Sequence, residues 1–173
     1  MGREELFKLY DLAIQEYRFQ VQFNWDRTKQ HMILNTAIVT VAFGMMQVAN
    51  RWDTLLLSAG TFLVGILSAI FAWQAVETGH RYYRGTVFKA ALIAELLDLH
   101  RSPAGAHDRN NLHVATLAGT AKIREILDDP ALYLSARPPK RESVTFGHLL
   151  IFGLFLVINL GGLIMAIVRF TNR

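Results

Sequence analysis

Three stretches of the chain carry no formal charge, and each is as long as a transmembrane helix. They are residues 30–50, 54–76 and 143–168, which contain 21, 23 and 26 residues. A helix needs about 20 mostly apolar residues to cross a hydrocarbon core about 30 Å thick. The first stretch is diluted by polar residues, whereas the other two are almost wholly apolar. The pattern predicts an all-α integral membrane protein with three transmembrane helices and a cytoplasmic helical module.

The segments beside these stretches also have helical patterns. Apolar residues recur every three or four positions through residues 1–30, which predicts an amphipathic helix. No Gly or Pro separates it from the first stretch, so the two can form one long helix. Its net charge is zero, which favours packing against another helix or subunit over binding to anionic lipid. No Pro lies between Thr54 and His100, so about 70 Å of continuous helix is predicted there.

The region between the second and third stretches mixes turn and helix signals. Residues 101–111 have turn chemistry, residues 112–127 predict a short helix, and residues 137–141 are a stiff basic lead-in to the third span. The predicted division of the chain is a cytoplasmic amphipathic helix (1–30), a transmembrane hairpin (31–76), a cytoplasmic helical region (77–142), a third transmembrane helix (143–169) and an external tail (170–173).

The distribution of Lys and Arg predicts the orientation. Residues 1–30 carry five and residues 77–142 carry ten, whereas the turn at 51–53 carries one and the segment after the third stretch carries two. Basic residues are retained on the cytoplasmic side of a membrane. The N-terminus and residues 77–142 are therefore expected in the cytoplasm, and the C-terminus outside.

Composition limits the chemistry. The chain is 52% hydrophobic and 18% charged, and it has no Cys, which excludes disulfides, Cys-ligated metals and thiol catalysis. No nucleotide-binding P-loop, hydrolase elbow or metalloprotease motif is present. We therefore expect a protein that is not an enzyme and needs no cofactor or metal.

Two weaker chemical readings remain as alternatives. The pairs Arg101–His107 and Arg141–His148 have spacings found in some RNA-cleaving helical domains, which leaves a membrane-tethered ribonuclease open. His100, His107 and His113 could offer imidazoles to a metal. They straddle a turn and have no evident carboxylate to orient them, so solvated roles are favoured.

Polar residues inside the spans have two interpretations. Asn35, Thr36, Thr40 and Asn159 either line a pore or join helices by hydrogen bonds. Small residues also lie four positions apart on each span, a pattern typical of close helix contact. These are Thr36, Thr40 and Gly44; Thr61, Gly65 and Ala69; and Gly162 and Ala166. One protomer is not expected to bury all of these small faces in its own helix contacts. We therefore predict a homo-oligomer, taken to be a tetramer, and an oligomer of such spans is a simple way to build a channel.

The segment GHRYYRGTVFK at 79–89 is the main candidate for binding a ligand. Its cations and aromatic rings suit phosphate contact and base stacking, and equally suit a girdle at the membrane interface. Residues 77–142 carry ten basic and eight acidic residues, so a long nucleic acid is not expected; a nucleotide or short oligonucleotide is. The predicted ligand-binding residues are Arg81, Arg84, Lys89, Tyr82 and Tyr83, with Lys122 and Arg124 as a second set.

These elements together resemble a known family. The segments EYRFQVQFNWDRTKQ (16–30) and GHRYYRGTVFKAALIAELL (79–97), separated by a tight hairpin of two spans, are similar to the SLATT membrane effectors of bacteria, including those of Hailong type. The resemblance covers about residues 10–100. It implies a pore in the bacterial inner membrane, controlled by a nucleotide-derived signal from a nucleotidyltransferase partner. Opening would depolarise an infected cell and stop phage growth.

Two functional hypotheses follow. The first is an oligomeric ion channel gated by a nucleotide or short oligonucleotide. The second is a non-conducting membrane-anchored adaptor that recruits a soluble partner. Conductance in a pure lipid bilayer distinguishes them.

Overall fold

The computed structural model describes residues 2–48, 52–97, 113–116, 119–122, 128–135 and 144–172. Within these ranges the chain is predominantly helical, as the sequence predicts. The helices are α1 (Arg3–Gln47), α2 (Trp52–Leu96), α3 (Pro130–Ser135) and α4 (Val144–Thr171), and the strands are β1 (His113–Thr116) and β2 (Gly119–Lys122).

Helices α1 and α2 contain 45 residues each. The amphipathic N-terminal segment and the first uncharged stretch therefore form one helix, and α2 continues well past the second stretch. Both outcomes follow from the absence of Pro, which would remove a backbone hydrogen bond. Asp53 lies in the first turn of α2, where a carboxylate is favoured by the helix dipole, and its Oδ1 accepts a hydrogen bond from the Thr54 N–H at 2.9 Å.

The prediction of a helix over residues 112–127 is wrong at residues 113–116 and 119–122, which form strands. Strands β1 and β2 pair antiparallel within this segment, with Val114 opposite Ala121 and Thr116 opposite Gly119. Val114, Thr116 and Thr120 are β-branched, and such side chains favour strands. A short apolar run does not distinguish helix from strand by periodicity alone, which is why the pattern misled.

The chain divides into two compact units. Unit 1 comprises Met1–Trp25 and Glu77–Gly147, and unit 2 comprises Asp26–Val76 and His148–Arg173.

In unit 1, α1 packs against α2 through aromatic residues. Tyr83, Val87 and Ala91 of α2 are buried, and Tyr17 and Val21 of α1 pack against them. The rings of Tyr17 and Tyr83 have centroids 5.6 Å apart. Helix α3 joins the same cluster through Tyr133, so this short helix is held by an aromatic contact.

In unit 2, α1, α2 and α4 pack through two clusters that combine alanines with larger apolar side chains. One cluster contains Ala42, Met46, Phe62 and Ala166, and a second contains Ala72, Val76, Leu149 and Phe152. A Cβ placed on Gly162 would overlap the Phe62 ring, and one placed on Gly65 would overlap the Asn159 amide. These close approaches need glycine.

Among the described residues, α2 and α4 are long and apolar enough to cross a membrane. Only 33% and 22% of their most apolar segments are buried within the chain, so most of that apolar surface faces outward. Helix α1 does not reach the same hydropathy, because Asn35 and Gln47 dilute its apolar half. Length and composition thus indicate membrane association through two helices.

Candidate functional site

An open groove of about 450 Å³ lies in unit 1. Helix α1 contributes Glu16 and Gln20 to its lining. Helix α2 contributes Thr78, Arg81, Tyr82, Gly85, Thr86 and Lys89. Residues of a helix that are three or four positions apart lie on one face, and these six residues of α2 have that spacing. The groove therefore brings together three of the residues predicted to bind a ligand: Arg81, Tyr82 and Lys89.

Both groove cations are paired with carboxylates. Arg81 Nη2 lies 3.0 Å from Glu77 Oε1, and Lys89 Nζ lies 3.2 Å from Glu16 Oε1. All four side chains are substantially exposed, and exposed ion pairs contribute only about 0–1 kcal/mol. A strongly anionic ligand could therefore displace the carboxylates. The acids were missed in the sequence because Glu77 lies just before the basic segment and Glu16 lies 73 residues from Lys89.

The two tyrosines have different environments. Tyr82 is 67% exposed and lines the groove, where a planar ligand could stack on it. Tyr83 is fully buried between Tyr17 and His80. Tyr83 is therefore a core residue, which corrects its predicted role in ligand binding: its ring has no free face to offer.

Arg84 is not among the described residues that line the groove. The Arg84 guanidinium lies over the Tyr133 ring, 4.9 Å from its centroid, in a cation–π contact. Lys122 belongs to β2, where the structure describes its backbone only, and Arg124 lies outside the described residues. Arg84 therefore holds α3 to the helix pair.

His80 is a buried titratable group that the sequence did not single out. Its Nδ1 lies 3.3 Å from Thr145 Oγ1, and its buried Nε2 has no hydrogen-bond partner among the described residues. Burial, with a smaller effect from the positive charge of Arg84, lowers the pKa of His80 to about 4. His80 is therefore neutral at neutral pH.

The predicted pore residues form two sets in unit 2. Asn35 and Asn159 are fully buried, and their Nδ2 groups donate to the carbonyl oxygens of His31 and Phe155 at 2.9 and 2.8 Å. Thr36 and Thr40 are exposed on α1. Their hydroxyls donate to backbone oxygens one turn earlier, at 2.8 and 2.9 Å. The amides thus lie inside the protomer and the threonines on its surface.

Two arginines that the sequence analysis used only for orientation make contacts between helices in unit 2. Arg27 of α1 donates to the carbonyl oxygen of Ala75 in α2. Arg169 of α4 donates to the carbonyl oxygen of Met46 in α1 at 3.0 Å. The 19 residues from Arg27 to Met46 correspond to about 28 Å of helix, close to the thickness of a hydrocarbon core.

Of the residues in the ribonuclease and metal alternatives, the structure describes only His148 of α4 together with its side chain. His100, Arg101, His107 and Arg141 lie outside the described residues, and His113 is described only by its backbone in β1. Comparison of the chain with protein families, with curated proteins and with solved structures finds no match. The groove of unit 1 and the exposed surface of α1 are the described features that bear on function.

Proposed function

We propose that the chain is a homo-oligomeric ion channel of the bacterial inner membrane, with three spans per protomer. The observation that carries the proposal is the face of α1 formed by Thr36, Thr40 and Gly44, which is exposed along its length. A Cβ on Gly44 would meet nothing within 4 Å. Small faces let membrane helices approach closely, so this face is suited to another copy of the chain.

The other small faces support the same conclusion by contrast. Gly65 is covered by Asn159, and Gly162 is covered by Phe62. Two of the three faces that predicted helix contact are thus used within unit 2, and the α1 face is left over. An oligomer built on α1 would place Thr36 and Thr40 near its axis.

The two arginine contacts support α1 as a third span. Arg27 and the Met46 oxygen that binds Arg169 are about 28 Å apart along α1. Arginines at the two edges of a membrane keep their charges near the headgroups. The segment between Arg27 and Met46 carries two ionisable groups, Lys29 and His31, both near its inner end. The rest of the segment suits the hydrocarbon core once its polar side chains are hydrogen-bonded.

The conduction path is proposed to run along Thr36 and Thr40 rather than Asn35 and Asn159. Each threonine hydroxyl donates its proton to its own helix, which leaves oxygen lone pairs for water or a cation. The two asparagines are buried inside unit 2 and reach such a path only if the helices separate.

The groove is the proposed sensor. Arg81 and Lys89 would contact phosphate groups and Tyr82 would stack on a base, with Glu77 and Glu16 displaced. The ligand class, a nucleotide or short oligonucleotide made by a nucleotidyltransferase partner, is taken from the SLATT resemblance. The same holds for the role in anti-phage defence by depolarisation. Binding gates the channel only if the ligand prefers one of its two conformations.

The test is ion flux through liposomes that contain only the purified full-length chain, with and without nucleotides and short oligonucleotides. Flux that a ligand switches on or off is expected. The double variant Arg81→Ala, Lys89→Ala should lose the ligand response and keep its assembly, whereas Arg18→Ala, an exposed cation of α1 outside the groove lining, should respond as wild type. An unchanged response in the double variant would reject the groove as sensor.

A second candidate function is the non-conducting adaptor. The favouring observation is the exposed apolar surface of α1 in unit 1, where Leu12 and Phe19 are 59% and 63% exposed. Exposed large apolar side chains in a soluble region are typical of protein contact surfaces. An absence of flux from protein shown to be inserted and oligomeric would favour this function over the channel.

A further inference from the structure

Three buried oxygen atoms of unit 2 have no hydrogen-bond partner among the described residues. They are Asn35 Oδ1 on α1, Ser68 Oγ on α2 and Asn159 Oδ1 on α4. A buried polar atom without a partner is costly, and most native structures contain few of them. One such atom from each of three packed helices is therefore a feature that needs a physical explanation.

The contacts between α1 and α4 place two of the three at one level. His31 packs edge-on against Phe152, and Arg169 binds the Met46 carbonyl. Helices α1 and α4 run in the same direction. Asn35 lies four residues after His31, so it is level with the residue four positions after Phe152, which is residue 156. Asn35 also lies eleven residues before Met46, so the second contact makes it level with the residue eleven positions before Arg169, which is residue 158. Asn35 and Asn159 therefore lie within one helical turn of each other.

The contacts of α2 place the third atom at the same level. Ser58 donates to the Ala42 carbonyl at 2.9 Å, and Arg27 binds the Ala75 carbonyl. Because α1 and α2 run in opposite directions, these contacts put Asn35 opposite residues 65–67. Ser68 is the next residue. Gly65, one turn earlier on α2, is covered by the Asn159 amide itself.

The described hydrogen bonds leave the oxygens of Asn35, Ser68 and Asn159 unsatisfied. Each amide donates through Nδ2 to its own helix, so each Oδ1 remains as an acceptor that needs a donor. The two amide oxygens cannot satisfy each other. Ser68 has a single hydroxyl proton and can satisfy only one of them. Each amide has a second Nδ2 proton, but no described hydrogen bond directs it, or the Ser68 hydroxyl, to either Oδ1. A donor from outside the three side chains is therefore needed to satisfy the oxygens in the arrangement that the structure describes.

We propose that one internal water molecule binds in this layer. It donates one hydrogen bond to each of Asn35 Oδ1 and Asn159 Oδ1 and accepts one from the Ser68 hydroxyl. Three hydrogen bonds is the usual number for a buried water. A bare monovalent cation is disfavoured, because three side-chain oxygens are too few to replace its hydration shell. The water ties three helices at one level, and this inference does not depend on channel function.

The first test is an experimental map of the full-length protein in lipid, at a resolution near 2 Å that shows ordered water. A peak about 2.7–3.2 Å from both amide oxygens is expected. Well-defined side chains with no peak between them would overturn the proposal. A peak at the 2.3–2.5 Å distances of a metal ion would also overturn it, in favour of a cation.

The second test is a double-mutant cycle on the same protein, using thermal unfolding. Asn35→Leu and Asn159→Leu should each lower the Tm by about 3–10 °C, because each leaves the water short of a partner. The double variant should lose no more than the larger single loss, since both variants remove the same bound water. Additive losses would show independent sites and reject a shared water.

Glycine variants give a matched pair that leaves the polar groups in place. Gly65→Ala puts a methyl group onto the Asn159 amide and should disturb the layer, lowering the Tm. Gly60→Ala, on the same helix, meets nothing within 4 Å and should leave the Tm near that of wild type. In the map, the Gly65→Ala variant should lose the water peak, and a peak that stayed in place would count against the assigned position.

Discussion

The contact between Gly162 and Phe62 is a tight packing constraint on α4. A methyl group on Gly162 would overlap the Phe62 ring, which is itself fully buried against Ala42 and Ala166. The ring has little room to move, and overpacking a core typically costs about 1–3 kcal/mol. We therefore expect Gly162→Ala to lower the thermal stability of the full-length chain in detergent.

The neighbouring Gly161 provides the control for this prediction. A methyl group there would meet nothing within 4 Å. Alanine is the better helix former, so Gly161→Ala should unfold at the same temperature as wild type or higher. Equal destabilisation by the two variants would show that chain flexibility, rather than the Phe62 contact, explains the glycine.

His80 makes the stability of unit 1 depend on pH. Its pKa is about 4 in the folded chain and ordinarily 6.5, so the unfolded chain binds more protons between these values. Stability should therefore fall as the pH decreases from 6.5 towards 4, by on the order of 3 kcal/mol in total. Thermal unfolding of the full-length chain across this range measures the slope.

The control is His80→Gln, which keeps a side chain able to hydrogen-bond Thr145 but does not titrate. Carboxylates also titrate at acid pH, so the informative quantity is the difference between the two proteins. That difference should shrink as the pH decreases, because the wild type alone loses stability to histidine protonation. A pH-independent difference would mean that His80 is not held neutral by its surroundings.

At the scale of elements, α3 has six residues and packs on unit 1 through Tyr133. Tyr133 packs on the Tyr83 cluster and lies under the Arg84 guanidinium. Tyr133→Ala should release α3, because an isolated six-residue helix is unstable in water. Amide hydrogen exchange of residues 128–135 should accelerate roughly tenfold, as expected for the loss of about 1.4 kcal/mol.

Leu134 is the matched control within the same helix. Its side chain is exposed, so Leu134→Ala removes a similar apolar area without the aromatic contact. Exchange in this variant should match that of wild type. Acceleration in both variants alike would assign the stability of α3 to helix propensity instead.

The long elements were predictable from the sequence, and the short ones were not. Uncharged stretches and an absence of Pro suffice for α1, α2 and α4, because both are local properties of the chain. Residues 112–127 hold too few apolar positions to distinguish the periodicity of a helix from the alternation of a strand, so the β1–β2 pairing was missed.

The groove was predictable in part for a similar reason. Arg81, Tyr82 and Lys89 stand out by residue type in one segment. Glu16 could not be identified, because only the packing of α1 on α2 brings it to Lys89. Tyr82 and Tyr83 are adjacent on a helix and point about 100° apart, so one faces out when the other is buried. Which one is buried depends on the position of Tyr17.

At the scale of the whole molecule, the number of spans decides on which side each terminus lies. Three spans put the termini on opposite sides of the membrane, whereas spans by α2 and α4 alone put them on the same side. The chain has no Cys, so a single introduced Cys can be labelled without background. Lys8→Cys and Thr171→Cys both lie at exposed positions near the two ends.

We expect a membrane-impermeant maleimide to label Thr171→Cys in intact cells and to label Lys8→Cys only after the membrane is opened. Lys89→Cys, in the groove of unit 1, should behave like Lys8→Cys and serves as the internal reference. Labelling of both terminal positions from the same side would leave α1 outside the membrane and would remove Thr36 and Thr40 from any conduction path.

In the proposed three-span arrangement, the arginine contacts at the two ends of unit 2 make the helix bundle sensitive to bilayer thickness. Arg27 and Arg169 are each bonded to a neighbouring helix, so these charges cannot swing freely to meet a distant headgroup layer. A span that does not match its bilayer tilts its helices or deforms the lipid, at a modest cost for each ångström of mismatch. In that arrangement, we expect acyl-chain length to act on the angles between α1, α2 and α4. Lipids with shorter or longer tails should shift the balance between the conformations of the bundle even when no ligand is bound.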